Sequence, residues 1–388
     1  MKKLDPLTSL RFLAALAIVV EHSKAAFHAT SWITAPLPFD YGVSFFFVLS
    51  GFILTYSHRS MESLADAYRF YIARFARIWP LHLATFLLCL AVISKGAWFV
   101  GNQSGHWLRI STANILLLHA WIPSPGFFFS FNSVSWSISA EVFFYLMFPI
   151  LRHRWSTTWH WKSLLVLVVS CAILTLATAR GVPDADFSQP MEISSTGIAY
   201  ISPFVRIVEF VTGMLVASVF IRFQDSNRGG RISWTAAEFV AVGLIPAMWV
   251  LTRSLPVRLA GHDLGASAWP IFAAHCGAFP AFALMIFVMA FGRGALSGAL
   301  SWRPLVLLGE ASFALYLVHQ LIISYFYLNR PMFNRVPDAV LLVAYWSICI
   351  GSAFALWHFI EKPARNHIRG LLTTTSRPPS PRVATQVD

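Results

Sequence analysis

Long apolar stretches separated by short polar segments dominate the pattern of this chain. A helix that crosses a membrane needs about 20 mostly apolar residues, and about ten stretches approach that length. They are residues 7–27, 41–57, 78–100, 136–151, 163–180, 200–221, 233–251, 268–291, 304–327 and 338–360. The pattern therefore predicts an all-α integral membrane protein with about ten transmembrane helices.

One further apolar stretch, "ANILLLHAWIP" (113–123), is short and precedes a segment rich in Pro and Gly. If it does not cross the membrane, both chain ends and most Lys and Arg residues lie on the cytoplasmic side, as the positive-inside rule favours. We therefore expect cytoplasmic N- and C-termini. Residues 101–135 are expected to form an outer loop with a re-entrant or interfacial helix.

Composition supports a membrane protein. Hydrophobic residues make up 57% of the 388 positions and charged residues only 12%, against about 25% charged residues in soluble domains. The net charge of +12 is assigned to membrane orientation, and no nucleic-acid partner is expected. The four cysteines lie in separate apolar stretches without a CxxC spacing, so no metal or redox site is predicted.

The chain divides into a membrane domain and a short tail. The domain is expected to cover residues 1–370. From position 371 the chain is expected to be a disordered cytoplasmic tail, because it becomes rich in Pro and Ser and is basic.

Two ionisable residues share one face of the first apolar stretch. Arg11 and His22 are eleven residues apart, which leaves their side chains about 20° apart around a helix and about 16 Å apart along it. Ionisable groups within a span normally face a bundle interior or a polar cavity. This face is therefore expected to line a polar passage, with a cation toward the cytoplasm and a candidate general base deeper in. The alternatives are an arginine that reaches the membrane interface and a hydrogen-bonded core histidine.

A second cationic pair lies in "RFYIARFARIWP" (69–80). Arg74 and Arg77 are three residues apart, so they share a helical face just before the predicted third span. Two guanidinium groups on one face suit a ligand with several phosphate charges. Anchoring of the cytoplasmic membrane surface is the alternative interpretation.

Seven motifs occur in a fixed order. They are the Arg11–His22 spacing, "YGVSFFFVLSGFIL" (41–54), the Arg-x-x-Arg pair at 74–77, "SVSWSISAEVFFYLMFP" (133–149), "RIVEFVTGML" (206–215), "LGEASFALYLVHQ" (308–320) and "EKPAR" (361–365). Together they resemble the membrane acyltransferase-3 family, which O-acylates bacterial surface polysaccharides, lipids and some secondary metabolites. The resemblance covers about residues 4–370.

The resemblance implies a multi-pass enzyme of the bacterial cytoplasmic (inner) membrane that uses cytoplasmic acyl-CoA, most often acetyl-CoA, as a donor substrate. It implies that His22 is catalytic and that Arg11, Arg74 and Arg77 serve the donor. The chain departs from many members at Ser44, where they carry an acid. It is also not expected to continue into the extracytoplasmic hydrolase-like domain of some polysaccharide acetylators.

Acyl transfer to a hydroxyl requires a base, and neutral imidazole suits this task near pH 7. The hypothesis is that His22 takes the proton of the acceptor hydroxyl while Arg74 and Arg77 hold the CoA phosphates. The pantetheine arm would pass Arg11 and carry the thioester toward His22. A covalent acyl-histidine is left open.

Glu141 is acidic within an apolar stretch and is a candidate catalytic residue. It could orient or charge the imidazole of His22, or it could pair with Arg206 as a structural group. The sequence leaves these two interpretations open. Arg206 itself has Glu209 three residues away, and we expect a structural ion pair between them.

Several other polar residues are expected to have packing roles. His319 is interpreted as a hydrogen-bonding core residue, with an acceptor contact as the alternative. His275 and Cys276 diverge on a helix and are expected to lie in the core. His119 and Asn132 border the outer loop and could contact the acceptor. The neighbours at 50–51, Ser and Gly, are expected to let two helices approach closely.

The acceptor is not readable from the sequence. The predicted function is acyl transfer to a hydroxyl of a glycan, a lipid-linked sugar or a small metabolite at the lipid bilayer. The rival hypothesis is a multi-spanning transporter or flippase for a saccharide or lipid that uses the buried Arg and His as its path. A non-catalytic membrane scaffold is a third possibility. A homo-oligomer and the need for a partner protein are left open.

Overall fold

The computed structural model describes residues 3–24, 26–27, 41–101, 105–225, 229–260 and 267–374, and these residues contain no β-strand. Their α-helices, in chain order, are α1 Asp5–Lys24, α2 Gly42–Ser57, α3 Leu64–Val92, α4 Trp107–Ile115, α5 Pro125–Phe128, α6 Trp136–Arg152, α7 Trp155–Ala179, α8 Pro203–Phe223, α9 Arg231–Ala260, α10 Ala268–Cys276, α11 Phe279–Phe291, α12 Ala295–Leu300, α13 Arg303–Leu328, α14 Asp338–Leu356 and α15 Lys362–Thr374. Single π-helical turns at Gly197–Ile201 and Trp357–Glu361 lead into α8 and α15.

Eight helical stretches of the described chain are long and apolar enough to cross a membrane. They are Leu64–Val92, Ser133–Arg152, Trp155–Ala179, Gly197–Phe223, Arg231–Ser254, Ala268–Phe291, Arg303–Leu328 and Asp338–Ile368. The shorter α2 is apolar along its 16 residues, whereas α1 carries several charged side chains. The all-α, multi-pass fold is thus confirmed; the count of ten spans and the cytoplasmic termini stay predictions.

The third helix differs from the predicted span 78–100. It begins at Leu64 because Ser63 and Asp66 form a capping box, in which each side chain accepts a hydrogen bond from the other residue's backbone N–H. It ends at Val92. The predicted bounds were wrong because hydropathy alone ignored the cap. Arg74 and Arg77 therefore lie well inside a 29-residue helix rather than at the start of one.

Two other predicted elements are seen in more detail. The stretch predicted as one span at 268–291 is confirmed as long and apolar enough to cross a membrane, and it consists of two helices, α10 and α11, that meet at Gly277 and Ala278. Helix α15 continues to Thr374, so the predicted tail is helical at its start, and the remainder of 371–388 lies outside the described residues. Within 105–135 the structure has only short helices, and α4 is the longest with nine residues. A re-entrant or interfacial position for them stays a prediction.

Helices α2 and α8 touch through their backbones. A Cβ atom added to Gly51 would lie 1.9 Å from the carbonyl oxygen of Phe210, and one added to Gly213 would lie 2.0 Å from the carbonyl oxygen of Val48. Because each glycine lacks a side chain, it leaves room for the backbone of the other helix. This close approach at Gly51 is the one expected from the sequence, and it is typical of helix pairs in membranes.

A third glycine brings α1 against α13. A Cβ atom on Gly309 would lie 2.0 Å from the carbonyl oxygen of Thr8. Farther along the same two helices, His22 meets His319, so α1 and α13 run in the same direction. We call the end of the bundle where α1 begins and α2 ends the proximal end. The opposite end, where α1 ends at Lys24, is the distal end.

We expect Gly51→Ala to destabilise the protein, because the new methyl group has no room unless two helix backbones separate. Overpacking of this kind costs about 1–3 kcal/mol of the free energy of unfolding. The matched control is Gly243→Ala in α9, where nothing lies within 4 Å of the added Cβ and alanine favours the helix. Thermal unfolding in detergent measures both. Equal midpoints for the two variants would contradict the backbone contact.

Candidate active site

A cavity of about 170 Å³ opens between α1, α2, α3, α6 and α13. Its polar lining comes from widely separated parts of the chain. These side chains are Thr8, Arg11, Ser50, Arg74, Arg77, Ser137, Glu141, Tyr145, Ser312 and Tyr316. Four of the five residues singled out from the sequence, all but His22, therefore lie in one cavity. We call it the arginine cavity.

Three guanidinium groups converge in the arginine cavity. Arg11 comes from α1, and Arg74 and Arg77 share one face of α3. The guanidinium of Arg74 lies over the rings of Phe70 and Tyr145, at 5.6 and 5.9 Å from their centres. Its buried Nε atom has no hydrogen-bond partner in the described chain. Arg77 repels both Arg11 and Arg74 electrostatically. An anionic ligand would relieve this repulsion, so the cluster favours one.

Two carboxylates oppose this positive charge. Glu141 interacts electrostatically with all three arginines of the cavity. Glu361, which is buried at the turn before α15, interacts with Arg11, Arg77 and the nearby Arg365. Glu310 also interacts with Glu361, so the count of formal charges is four guanidinium groups against three carboxylates. The region keeps an excess of positive charge in the interior of the bundle.

Glu141 has partners that the sequence did not predict. It accepts hydrogen bonds from Ser50 Oγ at 2.9 Å and from Tyr145 Oη at 2.6 Å. Neither of the expected partners, His22 or Arg206, takes part in these bonds. Helix periodicity shows which face a side chain occupies, but not which helix packs against that face, so these hydrogen-bond partners could not be predicted from the sequence. Tyr145 was missed, although its spacing of four residues from Glu141 places it on the same face.

His22 pairs with a second histidine. Its Nδ1 lies 2.9 Å from Nε2 of His319, and the two rings stack with their centres 5.1 Å apart. The other ring nitrogen of His319, Nδ1, is 3.2 Å from the carbonyl oxygen of Leu315. A carbonyl only accepts, so His319 Nδ1 carries the hydrogen, and neutral His319 offers a lone pair at Nε2. His22 therefore donates from Nδ1, and in the neutral form its own lone pair is on Nε2.

Tyr316 connects the arginine cavity with the histidine pair. It lines the cavity, and its ring centre is 5.9 Å from that of His319 on the next turn of α13. Its hydroxyl is held 2.7 Å from Ser137 Oγ and donates to the carbonyl of Val134 at 3.0 Å. The polar face of α1 predicted from Arg11 and His22 thus faces a continuous set of polar groups on α13. Sequence reasoning missed Tyr316, although its spacing from His319 was a usable signal.

Arg206 and Glu209 form the predicted ion pair in a fully buried position. The Nε–Oε2 distance is 2.9 Å, and both side chains are 0% exposed. Arg206 also donates to the carbonyl of Tyr200 at 2.6 Å and to Ser44 Oγ at 3.1 Å. Its guanidinium lies 4.9 Å from the ring centre of Phe47. These contacts satisfy the guanidinium of Arg206, although Oε1 of Glu209 has no hydrogen-bond partner among the described residues, and we interpret the pair as structural. Ser44 serves as a neutral acceptor for Arg206 at the position where the resemblance implied an acid.

The two candidates for an acceptor contact, His119 and Asn132, are buried and have hydrogen-bond partners nearby. His119 Nε2 pairs with Ser135 Oγ at 3.1 Å, and burial, with a smaller contribution from His82, lowers the pKa of His119 to about 3. His119 is therefore neutral at physiological pH. Asn132 donates to the carbonyl of Leu317. Both residues are almost completely enclosed, so this structure gives no support to a direct contact between them and an external acceptor.

His275 and Cys276 diverge as expected from their adjacent helical positions. The ring of His275 packs against Tyr200 with a centre distance of 5.3 Å. The thiol of Cys276 faces the carbonyl of Ala199 at 3.9 Å. Cys276 is buried and His275 is exposed, so the core interpretation is confirmed for Cys276 and wrong for His275, whose side chain lies on the outer face of α10.

Comparison with known proteins gives a coherent set of relatives. A family model described as an acyltransferase domain matches residues 6–359. Acyltransferase MdmB of Streptomyces mycarofaciens is 32% identical over 336 residues, which cover 83% of this chain and 80% of that protein. Peptidoglycan O-acetyltransferase OatA of Listeria monocytogenes is 24% identical over 395 residues, or 94% of this chain and 56% of that protein. Nodulation protein 10 of Rhizobium leguminosarum bv. viciae is 26% identical over 181 residues, which cover 42% of this chain and 48% of that protein.

The chain thus spans about half the length of the last two relatives and four fifths of the first. No solved structure matches it.

We expect Arg206→Met to lower the free energy of unfolding by about 3–5 kcal/mol, because it leaves the carboxylate of Glu209 buried without a cation. The matched control is Arg69→Met. Arg69 pairs with Asp66 at the same three-residue spacing, but the two side chains are 53% and 40% exposed, and exposed pairs contribute about 0–1 kcal/mol. Chemical denaturation in detergent compares the two. A similar loss in both variants would contradict the assignment of Arg206 as a buried structural cation.

Proposed function

The chain belongs to the membrane acyltransferase-3 family, and from this membership we propose that it transfers an acyl group, acetyl in the simplest case, from acyl-CoA to an acceptor hydroxyl. One observation carries the proposal. A single helix, α1, presents Arg11 to a cationic cavity at one level and His22 to a tautomer-fixing partner about 16 Å away along its axis.

The arginine cavity is the proposed donor site. Acyl-CoA carries a pyrophosphate and a ribose phosphate, and planar guanidinium groups bind phosphate oxygens in pairs. Arg74 and Arg77 would hold the pyrophosphate, and Arg11 would lie beside the pantetheine arm as it passes along α1. Glu141, fixed by Ser50 and Tyr145, is proposed to orient the guanidinium groups and to limit their mutual repulsion while the site is empty. We propose this role in place of the contact with His22, which was one of the two interpretations that the sequence left open.

The proposed transfer step follows from the tautomer of His22, whose neutral form has its lone pair on Nε2. Nε2 of neutral His22 takes the proton from the acceptor hydroxyl as the hydroxyl oxygen attacks the thioester carbonyl. The bond between that carbonyl carbon and sulfur then breaks. CoA leaves as the thiolate and receives the proton from His22, so the imidazole returns to its neutral form. His319 is proposed as a positioning residue, because its hydrogen bond keeps the hydrogen of His22 on Nδ1, so Nε2 is the atom that takes up and releases the proton.

The proposed acceptor is a hydroxyl of a glycan, a lipid-linked sugar or a metabolite. The name of the Listeria relative specifies peptidoglycan, which supports a saccharide, whereas the name of the Streptomyces relative specifies no acceptor. The proposed location is the bacterial cytoplasmic membrane, with the proximal end toward the cytoplasm. Acyl-CoA would then enter at the arginine cavity, and the acceptor would reach His22 from the distal end.

We expect His22→Ala to lower acyl transfer by about 10²–10⁴-fold, the contribution of a general base, while acyl-CoA binding is kept. Arg74→Ala/Arg77→Ala should instead weaken acyl-CoA binding, because it removes the phosphate contacts. The purified full chain in nanodiscs would receive radiolabelled acetyl-CoA and a membrane extract as the source of acceptor. Label transfer and equilibrium binding would be measured together.

The controls for that experiment are His160→Ala and Arg69→Ala, which remove an exposed histidine and an exposed arginine. Transfer by His22→Ala at the wild-type rate would refute the general-base role. A wild type that neither binds acetyl-CoA nor transfers label would refute the donor assignment and favour the transporter hypothesis.

For His319 we expect a difference between two substitutions. His319→Leu removes the acceptor for His22 Nδ1 and should lower kcat about tenfold or more, with little change in KM for acyl-CoA. His319→Gln places an amide oxygen near the position of Nε2 and should restore part of the rate. A role limited to packing predicts equal losses for Gln and Leu, so equal losses would contradict the positioning role.

A further inference from the structure

A second cavity, of about 290 Å³, lies at the proximal end of the bundle. Leu4, Tyr56, Arg59, Phe291 and Arg293 are among the residues that line it. Arg59 is exposed and Arg293 is half-buried, so the cavity can be reached from the proximal surface. None of the predicted site residues lines it. We call it the proximal cavity.

The proximal cavity continues the face that lines the arginine cavity. At the start of the chain, Leu4 lines the proximal cavity and Arg11 lines the arginine cavity. On α2, Tyr56 lines the proximal cavity and Leu49 lines the arginine cavity. Each pair is seven residues apart, which brings two side chains within about 20° of each other on a helix and separates them by about 10 Å along it. The carbonyl of Leu4 already accepts helical hydrogen bonds from Leu7 and Thr8. A single extended ligand could therefore occupy both cavities.

The charge of the proximal cavity suits a phosphate group. Arg59 and Arg293 supply two guanidinium groups, and Asp225 supplies one opposing carboxylate. The guanidinium of Arg293 lies over the rings of Trp234 and Phe291, at 5.4 and 5.3 Å from their centres. It also donates to the carbonyl of Gln224 at 3.3 Å. These contacts orient the group before a ligand arrives, which reduces the entropy lost on binding.

The wall of the proximal cavity is aromatic. Tyr56 and Phe291 both pack against Phe220, with ring-centre distances of 5.7 and 5.0 Å. These rings are 3–6% exposed, so they give the cavity a rigid apolar edge against which a base or ribose can pack. Aromatic rings beside two arginines form a surface that fits a nucleotide better than it fits an inorganic phosphate alone.

We propose that the proximal cavity binds the nucleotide end of acyl-CoA, with Arg59 and Arg293 on its ribose 3′-phosphate. The inference rests on the proposed function, since it extends the donor site by one subsite. The pyrophosphate and the pantetheine arm then lie between this subsite and His22 along α1. An anionic lipid headgroup shares the phosphate chemistry, and the experiment separates these two sources.

The test compares acetyl-CoA with 3′-dephospho-acetyl-CoA, which lacks only the phosphate in question. We expect wild type in phosphatidylcholine nanodiscs to bind acetyl-CoA about 10- to 100-fold more tightly, which is the strength of a hydrogen bond to a charged group. In Arg59→Gln/Arg293→Gln the two ligands should bind equally, and the affinity for the dephospho form should stay at the wild-type value. Arg69→Gln, an exposed arginine that lines neither cavity, is the control.

Each outcome bears on a different claim. A wild type that binds neither ligand refutes the proposed function. A wild type that prefers acetyl-CoA, together with a double variant that keeps the same preference, refutes the subsite alone. If the double variant is unstable, the single variant Arg59→Gln is measured instead, because Arg59 is exposed. This variant should lose part of the preference for acetyl-CoA over the dephospho form. A preference that disappears in wild type when phosphatidylglycerol is added assigns the cavity to lipid and overturns the inference.

Discussion

Direct contact between helix backbones is the constraint on which this structure depends. In a bilayer, apolar side chains gain little by leaving lipid for a helix interface, so close packing must supply the attraction. Gly51 and Gly213 let α2 and α8 touch, and Gly309 lets α13 lie against Thr8 of α1. The α1–α13 contact fixes the register of the two helices, and this register brings His22 to His319.

The buried cations fall into two groups according to how their charge is balanced. Arg206 has an ion pair, a carbonyl, a hydroxyl and an aromatic face, and nothing remains for a ligand. The arginines of the cavity share two carboxylates among several guanidinium groups and line an open space. Burial is common to both groups and therefore does not indicate function. The uncompensated charge next to a cavity is what distinguishes a ligand site from a structural pair.

Much of the site was readable from the sequence because it follows from the geometry within single helices. The shared face of Arg11 and His22, the pair Arg74 and Arg77, and the ion pair of Arg206 are all local patterns. The partners of Glu141 and His22 were not readable, because Ser50 and His319 lie 91 and 297 residues away. The start of α3 was missed for the opposite reason: a local cap in a polar segment extends the helix beyond its apolar part.

The unbroken course of α1 has a further consequence for how this chain can vary. One rigid helix carries both the arginine of the cavity and the histidine, so the number of residues between them sets both their separation and their relative direction. A single inserted residue would turn His22 by about 100° relative to Arg11 and away from His319. Substitutions in this segment must preserve the packing of the buried Ala15, Ile18 and Val19, and the number of residues must be preserved as well. In this segment the length of the chain is itself part of the site.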